Sequence, residues 1–466
     1  MTLRCSSFRR LALPLLILAL LLAPSTLLAA DAPGWDQVPE ILKRIVPPTF
    51  HDRDVDVTAH GAKGDGTTDC RPAFKAAVEA CAKAGGGRVV VPAGKYLSNG
   101  PIHLLSNVNL HLAEGATILF GTNPDDYLVG DAARGGGVFV RWEGTRCFNY
   151  SPLIYAYKQK NIAVTGRGTI DGQTGKGWAA WKAQQGPDQK ALREMGAKGT
   201  PLDQRLFGRG HFLRPSMVQP NECENVLIEG VTLKASPFWT VHPVACRNVT
   251  VRGIRVSFGT TNDDGCDPES CTDVLIEGCT FETRDDNIAI KAGRDNDAFP
   301  EAGGRPCENI IIRKCTFARG NPGGVAIGSE MSGGVRGVFV DDCRMEQVGV
   351  ALYAKSNPER GGFIENVFFR NVAVAACQSL LKCEMDYKGV RKGPYPPAFR
   401  NFSIENVTVK AAARTAIECV GLEAGPIENV VLKNVTVDAA AEALKSANVK
   451  GLRLEGVKVG GKDVTP

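Results

Sequence analysis

Internal repetition limits how this chain can fold more than any other feature. The octet Glu224-Asn225-Val226-Leu227-Ile228-Glu229-Gly230-Val231 recurs from Arg247-Asn248-Val249, from Thr272-Asp273-Val274 and from Glu308-Asn309-Ile310. Further copies open at Arg336-Gly337-Val338, Glu365-Asn366-Val367, Arg400-Asn401-Phe402, Glu428-Asn429-Val430 and Lys450-Gly451-Leu452. Counted at the Asn, Asp or Gly position, the steps are 23, 25, 36, 28, 29, 35, 28 and 22 residues, so the shortest give the bare unit and the longer ones carry loops. Repeats of this length are supersecondary units that cannot bury an apolar face alone and must stack on one another.

Inside each copy apolar and polar residues alternate, the period-two mark of a strand with one buried face. Asn or Gly at the bend suits a residue with φ > 0. The expected fold is therefore all-β, a parallel β-helix solenoid. An antiparallel sandwich would need turns of two to five residues between its strands. Upstream, Arg71 to Ala84 reads as an amphipathic helix ending at Gly85-Gly86-Gly87 and followed by a strand from Arg88 to Val91. It would form a short N-terminal helical cap over the open end of the core. Between Gly175 and Phe212 the pattern lapses into a Trp-, Gly- and charge-bearing insertion, which in a solenoid leaves from one face, often the binding face.

Arg4, Arg9 and Arg10 precede an apolar run from Leu11 to Leu22, and small residues close it at Ala29-Ala30. Residues 1–30 read as a secretory leader, too short for a comfortable membrane span, with 31–466 as one exported, periplasmic or extracellular domain. Losing three leader arginines takes the formal charge from +5 to +2, too weak a balance to imply nucleic acid or an anionic membrane as partner. Of the fifteen cysteines, Cys5 lies in the leader. Cys223, Cys246, Cys271 and Cys307 stand two residues before the Asn or Asp of a repeat, and Cys279, Cys315 and Cys343 each end the strand that follows. Equivalent positions stack, so most are expected to be reduced core residues, with a minority of disulfides left open.

Two acidic clusters stand apart from the repeat, Asn262-Asp263-Asp264-Gly265 with Asp267, and Asp285-Asp286. Asp264 precedes Asp286 by 22 residues, one bare coil, so the two should sit on neighbouring strands about 4.8 Å apart. Three crowded carboxylates raise at least one pKa and leave a protonated acid beside ionised partners. Acetal hydrolysis uses that pairing, an acid for the leaving oxygen and a carboxylate for water or for the sugar. Calcium binding or plain turn formation remains the alternative for such aspartates. His242, 22 residues before Asp264, could face the groove one coil below, and Trp239 could stack on a sugar; packing around a bend is the competing reading of both. Lys291 could hold a substrate carboxylate or simply be solvated, and Glu330 could act as an acid or contact sugar hydroxyls. The chain shows no Ser-His-Asp arrangement, phosphate loop or zinc spacing, so neither cofactor nor metal is expected.

The order of Gly61-Ala62-Lys63-Gly64-Asp65-Gly66, Gly168-Thr169-Ile170-Asp171-Gly172, Ser236-Pro237-Phe238-Trp239, Asn262 to Asp267 and Asp285-Asp286 resembles glycoside hydrolase family 28. That family holds polygalacturonases, exo-polygalacturonosidases and rhamnogalacturonan hydrolases. The resemblance implies a right-handed β-helix and an inverting hydrolase of pectic polysaccharide or oligosaccharide; the chain itself is expected to work as a monomer. It casts Asp285 as general acid and Asp264 with Asp286 as the pair that activates water; Asn262, at the head of the first acidic segment, is counted as a substrate-binding candidate. Two positions depart from the pattern. Pro322, in Asn321-Pro322-Gly323, replaces a His, and Tyr353-Ala354-Lys355 lacks an Arg while keeping Lys355 to meet a substrate carboxylate. Proline cannot polarise an acid and tyrosine cannot replace a guanidinium fork. Pro322 and Tyr353 together, with the tyrosine ring able to pack on an apolar sugar face, make a decorated or rhamnose-containing galacturonan, or short oligomers derived from it, the expected substrate in preference to homogalacturonan. A lyase using calcium with Lys291, Lys355 or Arg294, and a non-catalytic pectin-binding β-helix, stay as rivals.

Overall fold

A left-handed residue admits each repeat to its strand. Asn225, Asn248, Asp273, Asn309, Asn366, Asn401 and Asn429 have φ between 55° and 62°, a region that short polar side chains tolerate. Their side chains form a ladder between coils. Asn248 Nδ2 donates to Asn225 Oδ1 at 2.8 Å, Asn309 Nδ2 to Asp273 Oδ1 at 2.9 Å and Asn429 Nδ2 to Asn401 Oδ1 at 3.1 Å. Gly337 and Gly451, at φ 67° and 74°, make the same bend without a rung.

The strands that follow pair in parallel, with one register throughout: Val226, Val249, Val274, Ile310, Val338, Val367, Phe402, Val430 and Leu452 lie side by side. The computed structural model describes Thr2 and residues 34–466, and the leader read from residues 1–30 lies, but for Thr2, outside the described residues. The described chain from Gly34 onward is one unit, a parallel β-helix, and the sandwich alternative is excluded by the parallel register. No described helix is long and apolar enough to cross a membrane.

Cys70, Cys81 and Cys147, with the eleven cysteines from Cys223 to Cys419, are all free and buried. They act as small core residues: Cys271 Sγ points at Pro243 O at 3.3 Å and Cys307 Sγ at Pro268 O at 3.4 Å, one coil apart in each case. The expected cap is the α-helix Arg71–Lys83, which sets Phe74, Ala77, Val78 and Cys81 into the core and is followed by the strand Gly87–Val91. A second, unexpected helix, Val38–Arg44, lies across outward-facing side chains of the repeat. Ile41 and Ile45 bury Leu275, Ile311, Phe339 and Phe368, and Arg44 pairs with Asp273 at 2.7 Å. That explains why these outward positions are apolar.

The insertion contains short 3-10 turns and the α-helix Gln185–Ala197. It packs on an antiparallel hairpin, Val138–Trp142 with Thr145–Asn149, that the sequence pattern did not announce. Val140, Trp142 and Cys147 meet Leu192, Phe207, Phe238 and Trp239 in a satellite core. Hairpin and insertion together raise a wall beside one face of the solenoid.

Candidate active site

Below that wall, two successive coils present their acidic residues at the start of the same sheet, between a coil that carries Trp239 and one that carries Pro322. Thr240 N donates to Asp264 O at 2.8 Å, Gly265 N to Asp286 O at 3.0 Å and Asn287 N to Gly323 O at 2.9 Å, so Trp239, Asp264, Asp286 and Pro322-Gly323 stack in turn. The 22-residue spacing does place Asp264 beside the pair. Carboxylate oxygens of Asp264, Asp285 and Asp286 lie within 4.8 Å of one another. They line a cleft of about 340 Å³ with Lys182, Arg193, Lys291, Lys355 and Lys388, and the wall contributes Glu143 and Gln189.

Asp285 is the partly buried member, and its loop is held on every side. Asn262, at φ 63°, donates Nδ2 to Asp285 Oδ2 at 3.2 Å, and Asn262 Oδ1 accepts from Lys182 Nζ at 3.2 Å and Arg214 Nη2 at 3.0 Å. Asp263, read from sequence only as part of the cluster, accepts from the backbone N–H of Gly259, Arg284 and Asp285 and so pins the acid's loop. Burial, and then the neighbouring charge of Asp286, pushes the Asp285 carboxyl up to about 6. Burial and the charges of Asp285 and Asp267 likewise hold Asp264 well above the ordinary carboxylate range.

Two buried lysines offset this negative charge. Lys355 Nζ donates to Asp286 Oδ2 at 2.8 Å. Lys291 Nζ stands 3.7 Å from Asp264, 3.5 Å from Asp267 and 3.5 Å from Glu330, over the ring of Trp239 at 4.3 Å. The three aspartates have the spacing to grip a cation, and these ammonium groups supply positive charge beside Asp264 and Asp286. Burial alone would raise Glu330, but Lys291 and Arg360 outweigh it and keep the carboxyl ionised, which removes Glu330 as an acid.

The other candidates fall differently. The coil below Asp264 is 25 residues long, so Val241 registers with Cys266 and His242 lies beneath Asp267 rather than Asp264. His242 is fully enclosed, with Nε2 at 2.8 Å from Glu269 and Nδ1 at 2.7 Å from Gln219, and does not reach the cleft. Tyr353 shares the outward face of its strand with Lys355, yet its hydroxyl binds Glu384 and it is 6 % exposed. It sits in a small apolar cluster with Ala289, Ala326 and Val350, packed by Tyr387, and does not line the cleft. Trp239, Asn262, Lys291, Glu330, Lys355 and Pro322 line the cleft with the three aspartates. Lys182 and Arg193 come from the insertion, whose charges were visible without a position. Arg360 and Lys388 come from loops that carry no sequence signal.

Fold and site define a carbohydrate-active parallel β-helix with an acidic cluster in a cation-lined cleft. Residues 208–458 match glycosyl hydrolases family 28, and residues 55–136 match the group described as rhamnogalacturonase A/epimerase, pectate lyase-like. The chain belongs to family 28 and is a glycoside hydrolase. An exopolygalacturonase from Thermotoga maritima is 38 % identical, with a TM-score of 0.85, over 92 % of this chain and 96 % of its own, which makes the helix right-handed. A probable polygalacturonase from Vitis vinifera is 28 % identical over 83 % of this chain and 74 % of its own. An exo-poly-alpha-D-galacturonosidase from Dickeya chrysanthemi is 28 % identical over 79 % and 64 %.

Proposed function

We propose that this is an exported exo-acting hydrolase that removes galacturonate from the ends of unbranched polygalacturonate. The observation that carries the reading is the convergence of Asp264, Asp285 and Asp286 in a cleft whose cations, Lys182, Arg193, Lys291, Lys355 and Lys388, suit a polyanionic chain. The likeness to an exopolygalacturonase supports attack at a chain end, as does the wall that flanks the cleft. The leader residues favour export, and action as a monomer is part of the same proposal. The burial of Tyr353 removes one of the two reasons for a decorated substrate, and Pro322, which lines the cleft, is the other.

In the proposed mechanism protonated Asp285 gives its proton to the glycosidic oxygen as the C–O bond breaks. Asp286, paired with Lys355, takes a proton from a water that Asp264 helps to hold as it attacks the oxocarbenium-like carbon, and releases that proton to solvent while Asp285 is reprotonated. The carboxylates are closer than the ~6.5–9.5 Å usual in inverting enzymes, so inversion is proposed from the family resemblance. Digestion of polygalacturonate, its short oligomers and a rhamnogalacturonan tests the substrate. Saturated monogalacturonate should be the first product from the unbranched substrates. Efficient cleavage of the rhamnogalacturonan alone, or a spread of internal fragments, would refute the reading.

The acid also sets the pH response. Asp285 must be protonated in the free enzyme, so kcat/KM should fall tenfold per pH unit once the pH rises past about 6. A profile flat to about pH 8 would rule out Asp285 as the acid.

A further inference from the structure

A larger groove lies on the far face of the hairpin that walls the cleft and has no part in the site above. Successive side chains of a two-stranded ribbon alternate between its faces. The hairpin pairs Phe139 with Phe148 and Arg141 with Arg146, while Val140, Trp142 and Cys147 turn into the satellite core. The two phenylalanines and two arginines therefore share the opposite face, where Arg134 and Tyr157 join them around a groove of about 870 Å³. Arg134 lies over the Phe148 ring at 4.4 Å, and Tyr157 meets Phe139 edge-on with centroids 5.4 Å apart.

Buried carboxylates fix two of the guanidinium groups from behind. Arg141 Nη1 bonds Glu269 at 3.1 Å and Ser270 Oγ at 2.9 Å, and Arg146 Nη2 bonds Asp297 at 3.2 Å. Each keeps further N–H donors free of these bonds. Exposed Arg134 and Arg305 pair with no carboxylate among the described residues. Two rim carboxylates work against an anion, but Glu222 is matched by Lys158 at 3.6 Å, which leaves Asp203. Arginine forks with aromatic rings are the chemistry that takes up a sugar acid: the fork meets the carboxylate and the ring meets the apolar face.

We propose that this groove is a second carbohydrate site, which holds a uronate-containing stretch of the polymer away from the bond being hydrolysed. The inference rests on the substrate reading above. The same hairpin presents Glu143 to the catalytic cleft and Phe139 to the groove, so one rigid element would join the two.

The test uses two variants, Arg134→Glu/Arg305→Glu, which changes only exposed side chains, and Phe139→Ala. Binding is read by retardation of each protein, carrying Asp285→Asn to stop turnover, in gels containing polygalacturonate. Activity is read on trigalacturonate with Asp285 intact. Retention of the charge-reversed protein should weaken about tenfold and lose much of its salt dependence, while kcat/KM on trigalacturonate stays within about twofold. Phe139→Ala should weaken retention in the same direction without that loss of salt dependence. Unchanged retention in both variants, or equal losses on polymer and trimer, would overturn the proposal. A protein with Asp285 intact that fails to hydrolyse trigalacturonate would instead refute the substrate reading.

Discussion

Asp285→Asn is expected to lower kcat by about a thousandfold, the scale of a lost general acid, while the folded structure is retained. Asparagine is nearly isosteric and can still meet Asn262 and the backbone N–H of Asp286, so packing is preserved. Stability should hold or rise at neutral pH. A carboxyl whose folded pKa lies above its unfolded value binds protons more tightly in the native state, so ionising it costs stability as the pH climbs from about 4 through about 6. Removing the charge abolishes that cost. Asp264→Asn and Asp286→Asn should also be severe, and the double variant little worse than either single one, because groups acting on one water are not additive. Turnover of Asp285→Asn within tenfold of the parent, measured on oligogalacturonates, would contradict the assignment.

The second large effect is on stability. Lys291→Met should cost about 3–5 kcal/mol in denaturant unfolding at neutral pH, as expected when one partner leaves a buried ionic cluster. Lys291 is 3 % exposed, is the near cation for Asp264 and Asp267, and shares Glu330 with Arg360. Without it Asp264 and Asp267 must take up protons or remain buried and uncompensated, and Glu330 keeps only Arg360 of this pair of cations. The sign with pH follows from Glu330, whose depressed pKa contributes stability above its unfolded value and loses it as pH falls. The deficit of the variant should therefore shrink on acidification. A loss below about 1 kcal/mol, or one independent of pH, would show that the cluster is solvated rather than buried.

Where the repeat is regular, chemistry could be placed from spacing alone. Asp264 and Asp286 are 22 residues apart across a bare coil, and that arithmetic put them on adjacent strands. Applied one coil earlier, the same arithmetic misplaces His242, because the loop around Gly259–Asn262 lengthens that coil to 25 residues and shifts the register to Asp267. Leu275, Ile311, Phe339 and Phe368 read as an apolar run; only the approach of Val38–Arg44 shows that they seat a helix. Tyr353 and Lys355 have the same alternation, yet only Lys355 reaches Asp286, since Tyr387 packs over the tyrosine. The ionised state of Glu330 depends on Lys291 and Arg360, which chain crossings bring together and no local pattern links. Contacts made along the coil axis were legible, and contacts supplied by loops were not.

The most direct measurement is the mass of the first product released from trigalacturonate in heavy-oxygen water. Hydrolysis through Asp285 predicts saturated galacturonate carrying one heavy oxygen at the new reducing end, formed by the parent enzyme and absent with Asp285→Asn. An unsaturated product lighter by one water, without label and still formed by Asp285→Asn, would contradict hydrolysis by the aspartate cluster.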